Sequence, residues 1–206
     1  MSSGIDLRFE QFAKQLNMST DSLIQSLINP SSLAPPLSGQ WSGPVFGGIG
    51  NATLALNEAR AIPWDLTRPL NIVALAAGVT TLSATGLLRL GIFLDDGSGN
   101  SPGALITDFG TVVESAAVDN LQTGAGTTGL LQPQRVWLVG RQETTGGVAA
   151  VRSGNSPIAI WGALNTASQN FGLASTGAAN AFSTGWPLGG TPGPAASTVL
   201  IRAKAA

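Results

Sequence analysis

A chain of 206 residues with a formal net charge of −1 and 43% hydrophobic side chains is long enough to bury one domain core and too apolar to be disordered. It contains no cysteine and no histidine, which excludes disulfide frameworks, thiolate metal centres, thiol nucleophiles and imidazole bases. Charged residues are only 10% of it, so no field attracts nucleic acid, and a surface this poor in charge is expected to be covered by further copies or by a partner.

The opening MSSGIDLRFE places Asp6, Arg8 and Glu10 where a leader would need an apolar run, so no cleaved signal is expected. Residues 5–29 alone carry a helical period. Phe9, Phe12, Ala13 and Leu16 fall on one face; Ser19 or Thr20 can cap a second short helix, with Leu23, Ile24, Leu27 and Ile28 as its apolar side, until Asn29-Pro30 stops it. Pro30 to Pro44 carries four of the 12 prolines among serines and glycines and is expected to be an extended tether. The predicted layout is a helical anchor and tether over residues 1–44 and a body over residues 45–206.

From about Val45 the period changes to two, or to short apolar runs broken by turn residues. Candidate strands are Asn51–Leu56, Leu70–Ala76, Gly86–Leu94, Gly103–Val113, Gln134–Arg141, Ile158–Gly162 and Ser197–Arg202, which is the pattern of an all-β antiparallel sandwich or barrel. Pro69 to Leu88 has the length of a membrane span but is interrupted by Asn71, Thr80, Thr81, Ser83 and Thr85, so two β segments are expected there instead. In LRLGIFLDD, Leu88, Leu90, Ile92 and Leu94 separate from Arg89, Gly91 and Phe93, predicting one core face and one partly exposed face. Ser153 to Ile201 holds no charged residue. That stretch reads either as small-residue loops wrapping the sandwich or as packing between subunits, where charges would be costly to desolvate.

The chemistry available is narrow. Asp95 and Asp96 are the only adjacent acids, and neighbours on a strand point to opposite faces, so they make no acid/base pair for glycoside cleavage. Asp96, Ser98 and Asn100 have the alternate spacing of an oxygen-lined calcium loop, but Ser101 and Thr107 stand where that pattern wants glycine and glutamate. A hydrogen-bonded turn is the plainer reading. No phosphate-binding loop occurs. Of the five tryptophans, Trp137 and Trp161 sit in strand-like runs and are expected to be buried, whereas Trp64 and Trp186 lie beside prolines and are the candidates for stacking on a sugar ring.

The text Arg89-Leu-Gly-Ile-Phe-Leu-Asp-Asp-Gly97, followed by Pro102-Gly-Ala-Leu-Ile106, Asp108-Phe-Gly110 and the later Val136-Trp-Leu-Val139, resembles a module of tail-fibre, minor tail and head-fibre proteins of tailed bacteriophages. The resemblance covers roughly residues 52–142. It departs at Phe93, where tyrosine is frequent, and in the long neutral C-terminal region, whose loops cannot be carried over. It implies a jelly-roll-like β-sandwich used in virion appendages, often trimeric and often carbohydrate-binding, and does not imply catalysis. The expected function is therefore a non-enzymatic tail fibre or tail component that contacts the host surface. A capsid decoration or head-fibre protein is the alternative, and a glycan depolymerase a more distant one. The expected partners are further copies of the chain, other virion proteins held through Phe9, Phe12, Leu16, Leu23, Ile24 and Leu27, and a host-surface glycan. The expected place is the virion, assembled in the host cytoplasm, without membrane insertion or nucleic-acid binding. No cofactor is expected beyond the calcium that Asp96, Ser98 and Asn100 could hold.

Overall fold

The computed structural model describes residues 38–44, 48–81, 85–99, 101–113, 121–122, 126–143, 150–155, 172–176, 182, 186, 193–195 and 198–206. The helices predicted over residues 5–29, with the six anchoring side chains, lie outside them. So do most of the tether, Asn100, and the candidate strand Ile158–Gly162 with Trp161.

Among the described residues every regular element is a strand: β1 (Trp41–Ser42), β2 (Gly48–Thr53), β3 (Glu58–Asp65), β4 (Leu70–Ala77), β5 (Val79–Thr81), β6 (Leu87–Asp95), β7 (Pro102–Val113), β8 (Leu121–Gln122), β9 (Leu130–Leu131), β10 (Arg135–Gln142), β11 (Ala150–Asn155), β12 (Gly172–Thr176), β13 (Gly193–Ala195), β14 (Thr198–Val199) and β15 (Ile201–Ala205). The larger sheet runs β13-β12-β3-β10-β6-β7. A second runs β1-β15-β4-β8, with β9 also on β4, and a smaller one joins β14, β11, β2 and β5. All the pairings are antiparallel. No helix among the described residues is long and apolar enough to cross a membrane. The uncharged stretch from Pro69 forms β4, β5 and the start of β6.

The two large sheets bury their facing sides in one core. From the larger sheet come Ile62, Leu88, Leu90, Ile92, Val136 and Leu138; from the other come Ile72, Leu75, Ala77, Ile201 and Ala203. This is the arrangement of a β-sandwich, and the period of two dictates it: Leu88, Leu90 and Ile92 are alternate residues of β6, as Ile201 and Ala203 are of β15. Burying each such leucine or isoleucine contributes about 1.5–3 kcal/mol. Gly140 lets the sheets approach, since a Cβ there would stand 3.2 Å from Val199 Cγ2.

Two expectations change. The tether does not run unpaired to Pro44: Trp41 and Ser42 pair with Lys204 and Ala203, and the Gly39 N–H donates to the Ala205 carbonyl at 2.9 Å. The signal was hidden because a two-residue strand has no period to detect. Of Arg89, Gly91 and Phe93 on the second face of β6, only Arg89 keeps partial exposure, for Phe93 and Gly91 are both buried. Phe182 and Trp186, from the chain between β12 and β13, cover it and form a second cluster with Ala59, Ala61, Phe93, Trp137 and Val139. The central strands β10 and β6 of the larger sheet thus carry buried side chains on both sides. For these two aromatics, the neutral stretch wraps its own sandwich.

Strand β3 was not foreseen. Its text, EARAIPWD, carries three charges and a proline, yet it lies between β10 and β12. Among the described residues Pro63 has a strand neighbour on one side only, its rung lying beyond Ala61↔Leu173, the last described rung that joins β3 to β12, which is a setting where proline is tolerated.

Candidate functional site

Of the features that the sequence singled out, Asp95, Asp96 and Ser98 lie at one end of β6, β7 and β10, and Trp186 lies on the outer face of the sheet they share. Strands β6 and β7 form a hairpin whose connection starts at Asp95. The Asp95 carboxylate is its hub: Oδ2 accepts from the backbone N–H of Gly97 at 2.9 Å and of Gly99 at 2.8 Å, and Oδ1 accepts from Trp137 Nε1 at 2.9 Å. Gly97 and Gly99 have φ of 89° and 77°, a conformation that favours glycine. The same turn is clamped from the side. Arg135 donates through Nε and Nη2 to both oxygens of Asp65, at 2.6 and 2.9 Å, and through Nη1 to the Gly99 carbonyl at 2.9 Å. The bond from Asp65 raises the Arg135 pKa above its ordinary value.

Asp96 braces the same turn from its other side, and Asn100, the third residue of the oxygen-lined spacing, lies outside the described residues. Its Oδ1 accepts from the Ser98 hydroxyl and from the Ser98 N–H at 2.8 Å. These bonds favour the ionised form and hold its pKa below the ordinary aspartate value. Among the described residues no three acidic side chains come together to hold a metal ion. The Asp96–Ser98 pair is the Asx turn that the plainer sequence reading gave.

Removing the Asp95 carboxylate (Asp95→Ala) leaves three donors without their acceptor and is expected to lower stability by about 2 kcal/mol in urea unfolding, while Asp96→Ala, at an exposed site, scarcely moves the midpoint. The Asp96 contribution has a defined sign with pH. Because its native pKa is lowered, the stabilisation is complete above the unfolded-state pKa and is lost as pH falls through the native value. The Ser98 amide resonance, followed by NMR during an acid titration, should therefore move only at pH values below the ordinary aspartate range.

A second group of charges lies on the outer face of the sheet. Glu143 Oε1 accepts from Arg89 Nε and from Arg141 Nη2, and Arg89 Nη1 donates to Asp108 Oδ2 at 2.8 Å. Burial alone would lower the Arg89 pKa, but its bonds to Glu143 and Asp108 raise it overall, so the guanidinium stays charged. Asp108 also accepts the Phe182 N–H at 3.1 Å and the Gly110 N–H at 2.8 Å. Arg141 is 2% exposed and lies over the Phe182 ring, 4.8 Å from its centroid, in a cation–π contact. The ring also meets Phe93 edge-on, with centroids 5.5 Å apart, and Trp186 meets Phe93 in the same way at 6.4 Å.

This places the two tryptophans proposed for sugar stacking. Trp186 is 9% exposed and packed in the second cluster, so it offers no open ring face; its backbone N–H donates to the Gly103 carbonyl at 2.9 Å. Trp64 is half-buried and packs against the main core. The reason is shared, since each indole covers apolar surface that the sheet would otherwise leave wet. Trp137 is buried as expected. Sequence reasoning missed the Arg89–Glu143–Arg141 group, although Arg89 and Arg141 lie directly opposite each other on β6 and β10. That pairing could not be seen without the register.

No protein-family model, curated protein or solved structure matches the chain.

Chemically, the acidic side chains among the described residues are Glu58, Asp65, Asp95, Asp96, Asp108 and Glu143, and each is committed to a bond within the fold. Glu58 holds Arg60 Nε at 2.7 Å and the Ala55 N–H at 2.8 Å, and the other five hold the partners given above. What the arrangement does is tie a long hairpin, a neighbouring strand and two aromatic anchors into one rigid face.

Proposed function

We propose that this chain is a structural component of a tailed-phage virion, a tail fibre or tail protein that meets the host surface, works without catalysis and associates with further copies of itself. One observation carries the reading: the acidic side chains of the described body hold turns, arginines and backbone N–H groups, and acids so committed brace a scaffold rather than move protons. The resemblance of the Arg89–Gly97, Pro102–Ile106 and Asp108–Gly110 text to tail and head-fibre modules supports the phage setting. In this reading the sandwich has the jelly-roll-like connectivity of such modules, residues 1–44 attach to another virion protein, and the low overall charge suits a surface that packs against copies.

Quantitative mass spectrometry of purified particles, with imaging of labelled chain on intact virions, tests this. Labelling at the tail in a small symmetric set of copies is the expected result. Labelling over the whole capsid would make it a decoration protein instead, and absence from particles would overturn the virion assignment.

A further inference from the structure

The sheet containing β15 turns its apolar side to the core and leaves a different surface outside. On β15 the alternation is strict: Ile201, Ala203 and Ala205 are buried, Arg202 is exposed and Lys204 half-exposed. Register carries that outer side across the neighbouring strands. Lys204 lies opposite Trp41 of β1 on one side and Ala74 of β4 on the other, and Arg202 lies opposite Ala76. Trp41 is 37% exposed, unlike the other tryptophans described. Arg202 rests its stem on Gly43, where a Cβ would come within 3.4 Å of Arg202 Cδ. Among the described residues no acidic side chain pairs with Arg202 or Lys204, while the described acids are held elsewhere. One open strip therefore carries an indole, two cations about 7 Å apart along the strand and a floor of alanine methyls.

We propose that this strip binds an acidic polysaccharide, with a sugar ring stacked on Trp41 and carboxylates of the polymer held by Lys204 and Arg202. The assignment rests on the reading that the chain meets a host surface. Charge complementarity selects the ligand: two cations with no acidic partner among the described residues, on a chain of net charge −1, favour an anion and disfavour a second copy laid face to face, which would oppose like charges. The aromatic ring selects a sugar within that class, because the apolar C–H face of a pyranose fits an indole while its acid group reaches the cation on the same rung. Alanines at 74 and 76 keep the side chains opposite the two cations short, which suits a flat, extended polymer.

The test uses the purified full chain with three probes: alginate as an acidic polysaccharide, dextran as a neutral one and poly-L-glutamate as an acidic peptide. Calorimetry at low salt should give alginate binding that exceeds dextran binding by about tenfold or more and weakens as salt is added. The double variant R202Q/K204Q should lose about tenfold in alginate affinity and Trp41→Ala about fivefold, with melting temperatures close to that of the parent chain. Absence of alginate binding, or alginate affinity unchanged in both variants, would overturn the proposal. So would poly-L-glutamate binding that equals alginate binding and ignores Trp41→Ala, which would point to an acidic protein partner. A chain found on virions that binds no alginate fails this inference alone; one that binds alginate but is absent from virions fails only the virion reading.

Discussion

Replacing Phe182 by alanine is expected to lower the free energy of unfolding by about 3–5 kcal/mol. The ring fills the slot above Gly91, touches Phe93 edge-on and carries the Arg141 guanidinium on its face. Its loss removes apolar contact from three neighbours and leaves one of them a buried cation. The same slot predicts a matched result from the other side. A Cβ at Gly91 would lie 2.7 Å from Phe182 Cδ2 and 2.8 Å from Cε2, so Gly91→Val must push the ring off the sheet, although valine is a good strand residue, and costs about 1–3 kcal/mol. The two changes share one contact and will not add. In urea unfolding, Gly91→Val in the Phe182→Ala background should cost almost nothing, because the atom it collides with is gone. Additive losses would mean that Phe182 does not occupy the slot.

Glu143→Gln is expected to cost about 3 kcal/mol, far more than the loss of an exposed ion pair. Glu143 is the shared acceptor for Arg89 and Arg141, and its side chain is only 10% exposed. Without its charge, Arg141 at 2% exposure keeps a buried positive charge with no counter-ion in contact. Arg141→Met removes that charge and keeps the length of the stem, so it should recover part of the loss in the Glu143→Gln background even though each change alone destabilises. Arg60→Met serves as the control. It breaks a pair between residues two apart on one strand, Arg60 with Glu58, and should leave the Glu143→Gln loss unchanged. Chemical denaturation of the single and double variants reads these differences directly.

How far the sequence revealed this architecture depends on how local each signal is. β4, β6, β7, β10 and the final strand were legible because each buries alternate or continuous apolar residues over several positions, and the Asp95–Gly99 turn because aspartate and glycine state their conformational roles locally. β3 was not, because Glu58, Arg60 and Pro63 break its pattern; its strand character comes from β10 and β12 on either side. Trp41 was placed in a tether because its two-residue strand exists only through pairing with β15. The second cluster was the largest omission. Nothing near Phe182 or Trp186 in the chain says that they reach β6, and for that reason Phe93 and Gly91 are buried where partial exposure is expected from the sequence. The outer charges failed likewise: Arg89 and Asp108 are distant in sequence from Arg141 and Glu143, and the four become one group only after the register of β6 on β7 and β10 is fixed.

In the proposed reading, the described carboxylates of this body serve the fold and not a reaction. Acids built for catalysis are held in strained, under-compensated settings, so neutralising one commonly raises stability at the expense of activity. Unfolding free energies of Asp95→Asn, Asp108→Asn and Glu143→Gln at neutral pH separate the two cases in one series. The account predicts that all three variants are less stable than the parent chain, Glu143→Gln most of all; a gain in stability for any one of them would contradict it.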